Sequence, residues 1–172
     1  MKKSLLVLAV AALFVFSFSS CGDVSTTAEI LTNNTKGWVL SSATSAPAYE
    51  LSSGRAVENL LDGYFYDCEK DDIIIFQDGG VEVINPGANI DPEWGYQIQT
   101  LGTWSLNADN TVLSMQLPFF YAPSHFTYDL EQEDCRIVSI NSKELVLEYK
   151  FNDNENPSKG EYTFTLTYVP AK

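Results

Sequence analysis

The stretch Glu144-Leu145-Val146-Leu147-Glu148-Tyr149-Lys150-Phe151 alternates. Leu145, Leu147, Tyr149 and Phe151 fall on one side, and Glu144, Glu148 and Lys150 on the other, with Val146 the exception. A period of two places successive side chains on opposite faces of a strand, so this segment reads as a strand with one face buried and one wet. After the polar, Asn-rich loop Asn152 to Gly160, the pattern repeats over Glu161 to Val169. There Tyr162, Phe164, Leu166 and Tyr168 share one face, and Glu161, Thr163, Thr165 and Thr167 share the other. Two adjacent amphipathic strands joined by a loop form an antiparallel pair, and their common apolar face requires a core to cover it.

Working outward, the same signals recur. Asp134 to Asn141 is the strand before this pair, joined to it by the tight turn Asn141-Ser142-Lys143. Leu101 to Leu106 and Thr111 to Leu117 flank the turn Asn107 to Asn110. Trp104, Leu106, Leu113, Met115 and Leu117 point inward there. Ile73 to Gln77 is a β-branched run, and Asp78-Gly79-Gly80 turns it into Val81 to Asn85, a hairpin signature. Trp38 to Ser41 opens the series and makes eight strands. Only Arg55 to Leu61 has a helical look. The expected fold is all-β: an eight-stranded antiparallel up-and-down β-barrel, with a short helix at most. Closing a meander removes its unpaired edges. An open β-sandwich is the competing arrangement.

The N-terminus carries an address. Lys2 and Lys3 precede the apolar run Leu5 to Phe16, which has the length of a signal-peptide core. That run is short of the about 20 apolar residues a membrane span needs. Ser19-Ser20-Cys21-Gly22 then looks like a lipobox, in which the cysteine becomes the acylated N-terminus. The alternative is an ordinary signal peptide with a chance cysteine. The expected organisation is a signal peptide over 1–20, a lipidated Cys21 with a flexible tether over 21–35, and one barrel domain over 36–172. Cleavage before Cys21 leaves 152 of the 172 residues, enough for a single domain with a proper core.

Without Lys2 and Lys3 the chain holds eight basic residues against 23 acidic ones, a balance of −15. Phosphate binding needs clustered Lys and Arg, so this charge argues against nucleic acid. It argues equally against electrostatic adsorption to anionic lipid. With Cys21 assigned to lipid, Cys68 and Cys135 remain. In an exported protein an even pair is expected to form a disulfide. The alternative is two buried thiols packed as small hydrophobes.

Signs of catalysis are sparse. His125 is the one histidine, set in an aromatic loop, and it cannot build a His-based zinc site. No Gly-x-Ser-x-Gly elbow or Gly-rich phosphate loop occurs. Asp67, Glu69, Asp71 and Asp72 form an acidic cluster whose spacing does not fit a calcium loop of the EF-hand kind, so it reads as a hydrogen-bonded turn. We expect no cofactor, no metal and no enzymatic activity. The most suggestive segment is Pro118 to Tyr128, where Phe119, Phe120, Tyr121 and Phe126 crowd a loop. Loops are usually polar, so these rings form either a lip over the barrel mouth or a plug of its end.

A resemblance enters at this point. Asp67-Cys68-Glu69-Lys70-Asp71-Asp72 with Ile74, Phe76 and Asp78-Gly79 is one part of it. Gly102-Thr103-Trp104-Ser105-Leu106 with Val112-Leu113, and Lys143-Glu144-Leu145-Val146-Leu147, are the others. Together they resemble the lipocalin-like domain family found in lipoproteins of Bacteroidetes. That resemblance implies a lipocalin-type barrel on a lipid anchor, with no common activity. The chain departs from true lipocalins, in which Gly-x-Trp opens the first strand. Here Gly37-Trp38 has no intervening residue, and Gly-x-Trp lies mid-chain at Gly102 to Trp104. Surface-exposed lipoproteins of the group often carry several acidic residues after the cysteine, whereas here only Asp23 is acidic. That points to the periplasmic face of the outer membrane.

Two functional readings follow. In the first, Trp104, Leu106, Met115, Leu147, Tyr149, Phe164, Leu166 and Tyr168 line a pocket for a small apolar or amphipathic ligand. In the second, the same residues fill the interior, and the protein works through its surface on an envelope protein as inhibitor, scaffold or accessory subunit. An empty or a packed interior separates the two. An enzyme is the third choice.

Overall fold

The computed structural model describes residues 25–51, 53–89, 98–117, 132–152 and 160–172. The chain begins with helix α1 (Thr27–Asn33). Strands β1 (Trp38–Glu50) and β2 (Ala56–Asn59) and a 3-10 turn over Leu60–Asp62 follow. Then come β3 (Ile73–Gln77), β4 (Val81–Asn85), β5 (Gln99–Thr103), β6 (Ser105–Leu106) and β7 (Val112–Gln116). The last three strands are β8 (Gln132–Asn141), β9 (Glu144–Asn152) and β10 (Glu161–Pro170). The sheet runs β5-β4-β3-β1-β10-β9-β8-β7-β6, all antiparallel, and curls into a nearly closed barrel. All eight expected strands are present, with β5 and β6 standing for the expected Leu101–Leu106 strand.

Register follows the alternation. Leu147 on β9 faces Leu166 on β10, and Leu145 faces Tyr168. Leu113 on β7 faces Cys135 on β8. All six side chains are buried. Antiparallel alternation also sorts the connections. The hairpin turns at 78–80, 107–111 and 142–143 gather at one end with the start of β1 and the finish of β10 (Trp38 pairs with Pro170). The finishes of β4, β7 and β9, the starts of β3, β8 and β10 and the 60–72 segment lie at the other end.

The hairpin end is closed by α1, which corrects the expected tether. Thr26 caps the helix: its Oγ1 accepts from the Glu29 N–H at 3.2 Å, and Glu29 Oε2 accepts from the Thr26 N–H at 2.7 Å. This reciprocal box satisfies donors that a helix N-terminus leaves unpaired. Leu31 is fully buried, and its carbonyl accepts from Trp38 Nε1 at 3.3 Å. The helix packs on both β3 and β8, strands separated in the sheet by β1, β10 and β9, so it spans the barrel opening. Gly37 then turns the chain into β1 with φ +86°; a Cβ there would lie 2.5 Å from Ile73 Cγ2 and 2.6 Å from the Ile74 carbonyl. Only glycine meets both demands.

A second correction concerns Arg55 to Leu61. The segment is strand β2, paired with the far half of β1, followed by the single 3-10 turn, whose N-cap Asn59 accepts from the Leu61 N–H at 3.1 Å. The pairing to β1 outweighs a weak local helical preference, as tertiary context commonly does.

Closure of the barrel turns on Trp104. Its backbone N–H donates to Gly80 O at 2.8 Å, and its indole N–H donates to Gln77 O at 3.1 Å. Its ring meets Phe76 edge-on at 5.6 Å. Before Trp104 the chain pairs with β4 as β5; after it the chain pairs with β7 as β6. One kinked strand thus belongs to both margins of the sheet.

Candidate functional site

The interior holds the residues expected to line a pocket. Trp104, Met115, Leu147, Tyr149, Phe164, Leu166 and Tyr168 are buried, and Leu106 is partly buried against them. The structure therefore brings all eight into one core. Near the α1 end, the gap bounded by Trp38, Ile74, Phe76, Met115, Leu145 and Tyr168 has no room for a water molecule. Toward the other end, aromatic rings cluster. Tyr49 stands among Tyr162 at 5.1 Å, Tyr64 at 5.3 Å, Phe164 at 5.7 Å and Phe151 at 6.0 Å, each edge-to-face. Phe151 stacks on Phe164 at 5.5 Å. Offset and edge-on pairs of this kind contribute about 0.5–1.5 kcal/mol each beyond their area. Tyr49, Tyr64 and Phe151 are only partly buried, so this end presents rings to the outside.

Where β5 parts from β7, side chains replace the missing ladder. Glu82 on β4 is fully buried, and its Oε2 accepts from the backbone N–H of Gln116 at 2.9 Å. Gln132 Nε2 donates to Thr103 O at 2.9 Å and to Ser114 O at 3.3 Å, joining β5 to β7 from β8. Gly102 makes the space: a Cβ there would lie 2.5 Å from Gln116 Nε2. Glu82 Oε1, Gln116 Oε1 and Tyr168 Oη are buried and find no hydrogen-bond partner among the described residues. Burial pushes the Glu82 carboxyl up to about 8, against the lowering by the Gln116 N–H. Burial also raises the Tyr168 hydroxyl, with Cys135 and Glu82 adding to it. The Cys135 thiol is raised by burial first, then by Glu133, Glu82 and Asp134. At neutral pH these groups are uncharged. Sealed from solvent, they sit inside the wall where β4, β7, β8 and β10 meet the core.

Glu82 was not singled out from the sequence, although the signal was there. The Asp78–Gly80 turn sets Phe76 opposite Glu82, so if Phe76 points inward, Glu82 must too.

The acidic turn is a clamp. Asp71 Oδ2 accepts from the backbone N–H of Ala88 at 2.8 Å and of Asn89 at 2.9 Å, and Asn89 Nδ2 donates to Asp67 O at 2.8 Å. Burial, then Glu69 and Asp71, push the half-buried Asp72 up to about 7. The hydrogen bond and charge of Lys70 hold Asp67 below its usual range. Among the described residues, no group of three or more His, Cys, Asp or Glu side chains is placed to hold a metal ion.

The expected disulfide is not formed between Cys68 and Cys135. Cys135 is fully buried on β8, whereas Cys68 lies in the turn leading to β3, with β9, β10 and β1 between the two strands in the sheet. Cys135 packs instead as a small hydrophobe, in contact with the core. Cys21, the loop residues Phe119, Phe120, Tyr121 and Phe126, and His125 lie outside the described residues.

No protein-family model matches the chain, and no curated protein matches it.

Proposed function

We propose that the chain is a lipid-anchored cell-envelope protein whose barrel is a filled scaffold, and that it acts non-enzymatically through its surface on another envelope protein. One observation carries this reading. The eight residues that would line a carrier's pocket pack against one another, and the gap beside Met115 and Tyr168 excludes even water. A ligand pocket is ordinarily a preformed cavity of about 300–1,000 Å³. The barrel thus supplies rigidity, and the outer end with its partly buried rings and acidic turn supplies the contact surface. Cys21 is the anchor, on the periplasmic face of the outer membrane. Among the described residues no helix is long and apolar enough to cross a membrane.

Substitution of Leu147 by Trp tests the proposal. In a filled barrel the extra volume has nowhere to go, and overpacking costs about 1–3 kcal/mol or more. In an empty one the indole is accommodated. Denaturant unfolding of the mature chain carrying Cys21→Ser, with and without Leu147→Trp, reads the difference. Native mass spectrometry after exposure to envelope extract completes the test. Unchanged stability, together with a bound mass of a few hundred daltons that Leu147→Trp expels, would refute the filled scaffold and make the protein a carrier.

A further inference from the structure

We infer that the α1 end of the barrel is held against the bilayer surface, with the Glu50–Asp72 end directed away from it. The inference rests on the acylation of Cys21 proposed above and deepens it by naming the lipid-facing surface. Helix α1 starts close to the anchor: the capping box puts Thr26 at its head, five residues after Cys21. Five residues reach at most about 18 Å, even fully extended. The barrel is longer than that. Glu144–Asn152 alone spans nine residues from the hairpin end to the far end, about 27 Å at 3.3 Å per step. Because α1 lies across the hairpin end, against β3 and β8, the far end cannot swing down to the membrane while the acyl chains stay inserted.

Charge supports the same orientation. At the α1 end Lys36, Lys143 and Lys172 are exposed, against exposed Glu29, Asp78 and Asp109 and the partly buried Glu144. This near balance stands out in a chain that carries eight basic and 23 acidic residues after its leader. Between Glu50 and Asp72, by contrast, seven acidic residues face only Arg55 and Lys70. An anionic headgroup layer attracts Lys and Arg near its surface by about 1 kcal/mol each and repels acidic groups within a Debye length. The lysine-bearing end therefore tolerates contact with such a layer, and the acidic end does not.

The test uses the acylated protein in vesicles of phosphatidylethanolamine and phosphatidylglycerol containing a headgroup-attached spin-label quencher. In a Cys68→Ser background, one fluorophore is placed at Lys143→Cys or at Glu58→Cys. The inference expects several-fold stronger quenching at position 143 than at 58, and a loss of that difference when a long Gly/Ser segment is inserted after Gly22. Equal quenching in vesicle-bound protein, or stronger quenching at 58, overturns the orientation while leaving the anchor intact. An intact mass without acyl chains on Cys21, in protein that does not float with vesicles, overturns the anchor and the orientation together.

Discussion

Glu82→Gln is the perturbation that most directly interrogates the closure of the barrel. The side chain is fully buried on β4, and its Oε2 accepts from a backbone N–H of β7, 34 residues along the chain. In the unfolded chain its carboxyl ionises near 4.5; in the fold it keeps its proton to about 8. Between these values the folded state binds the extra proton, so stability falls as pH rises. The contribution is fully present below 4.5 and is lost as pH passes through about 8. The slope approaches about 1.4 kcal/mol per pH unit, and the whole window amounts to about 5 kcal/mol. That is a large part of the 5–15 kcal/mol that usually separates folded from unfolded states. Glutamine keeps an acceptor for the Gln116 N–H and cannot ionise. The variant should therefore match the parent near pH 5 and exceed it increasingly toward pH 9, reaching several kcal/mol. Urea midpoints between pH 5 and 9 measure this, with the buried Trp38 and Trp104 as reporters. Asp72, also raised, remains in both proteins and cancels in the comparison. Parallel pH profiles, or a variant weaker at every pH, would refute the reasoning.

Three further outcomes follow from the same packing. Gly102→Ala, whose Cβ would sit 2.5 Å from the Gln116 amide, should cost about 1–3 kcal/mol. Gln116→Ala in the same chain should recover part of that loss in urea unfolding, and strictly additive losses would contradict the contact. Leu147→Ala removes a fully buried side chain and should cost about 2–5 kcal/mol; a loss below about 1 kcal/mol would mean that the interior is not packed there. Cys135, buried and with its thiol raised, should take no iodoacetamide in the native protein and react fully in denaturing urea. Peptide mass spectrometry reports the adduct, and native labelling would show that β8 opens.

Period-two alternation was legible wherever one strand face meets the core and the other meets water, which is why β7, β9 and β10 were readable residue by residue. It failed where local pattern and tertiary demand diverge. The seven residues of α1 sit in a Ser- and Thr-rich stretch that looks like a tether, and a helix so short has little stability of its own. What orders it is Leu31 beneath Trp38 and the Thr26–Glu29 box, and the box was present in the sequence as Thr-x-x-Glu. In Arg55 to Leu61 the pairing partner on β1 decides the conformation, and no local window contains it. The two cysteines illustrate the converse error. An even count suggested a bridge, but the register of β8 against β7 turns Cys135 into the core beside Leu113.

The two glycine–tryptophan pairs do different work in this barrel. Gly37-Trp38 opens the first strand without a spacer because the glycine is consumed by the turn out of α1, packed against Ile73 and Ile74. The indole is needed at once, to take the Leu31 carbonyl and floor the barrel. The spaced pair, Gly102 and Trp104, serves the opposite task. Its glycine clears a path for Gln116, and its indole pins the kink to the β3–β4 turn. One pair closes the barrel along its axis and the other around its circumference. The circumferential closure depends on Glu82, a residue whose protonation is set by the burial it helps create. A proton on Glu82 is therefore expected to favour the closed wall, and the Glu82→Gln profile tests the fold's closure more sharply than any substitution among the apolar residues of the core.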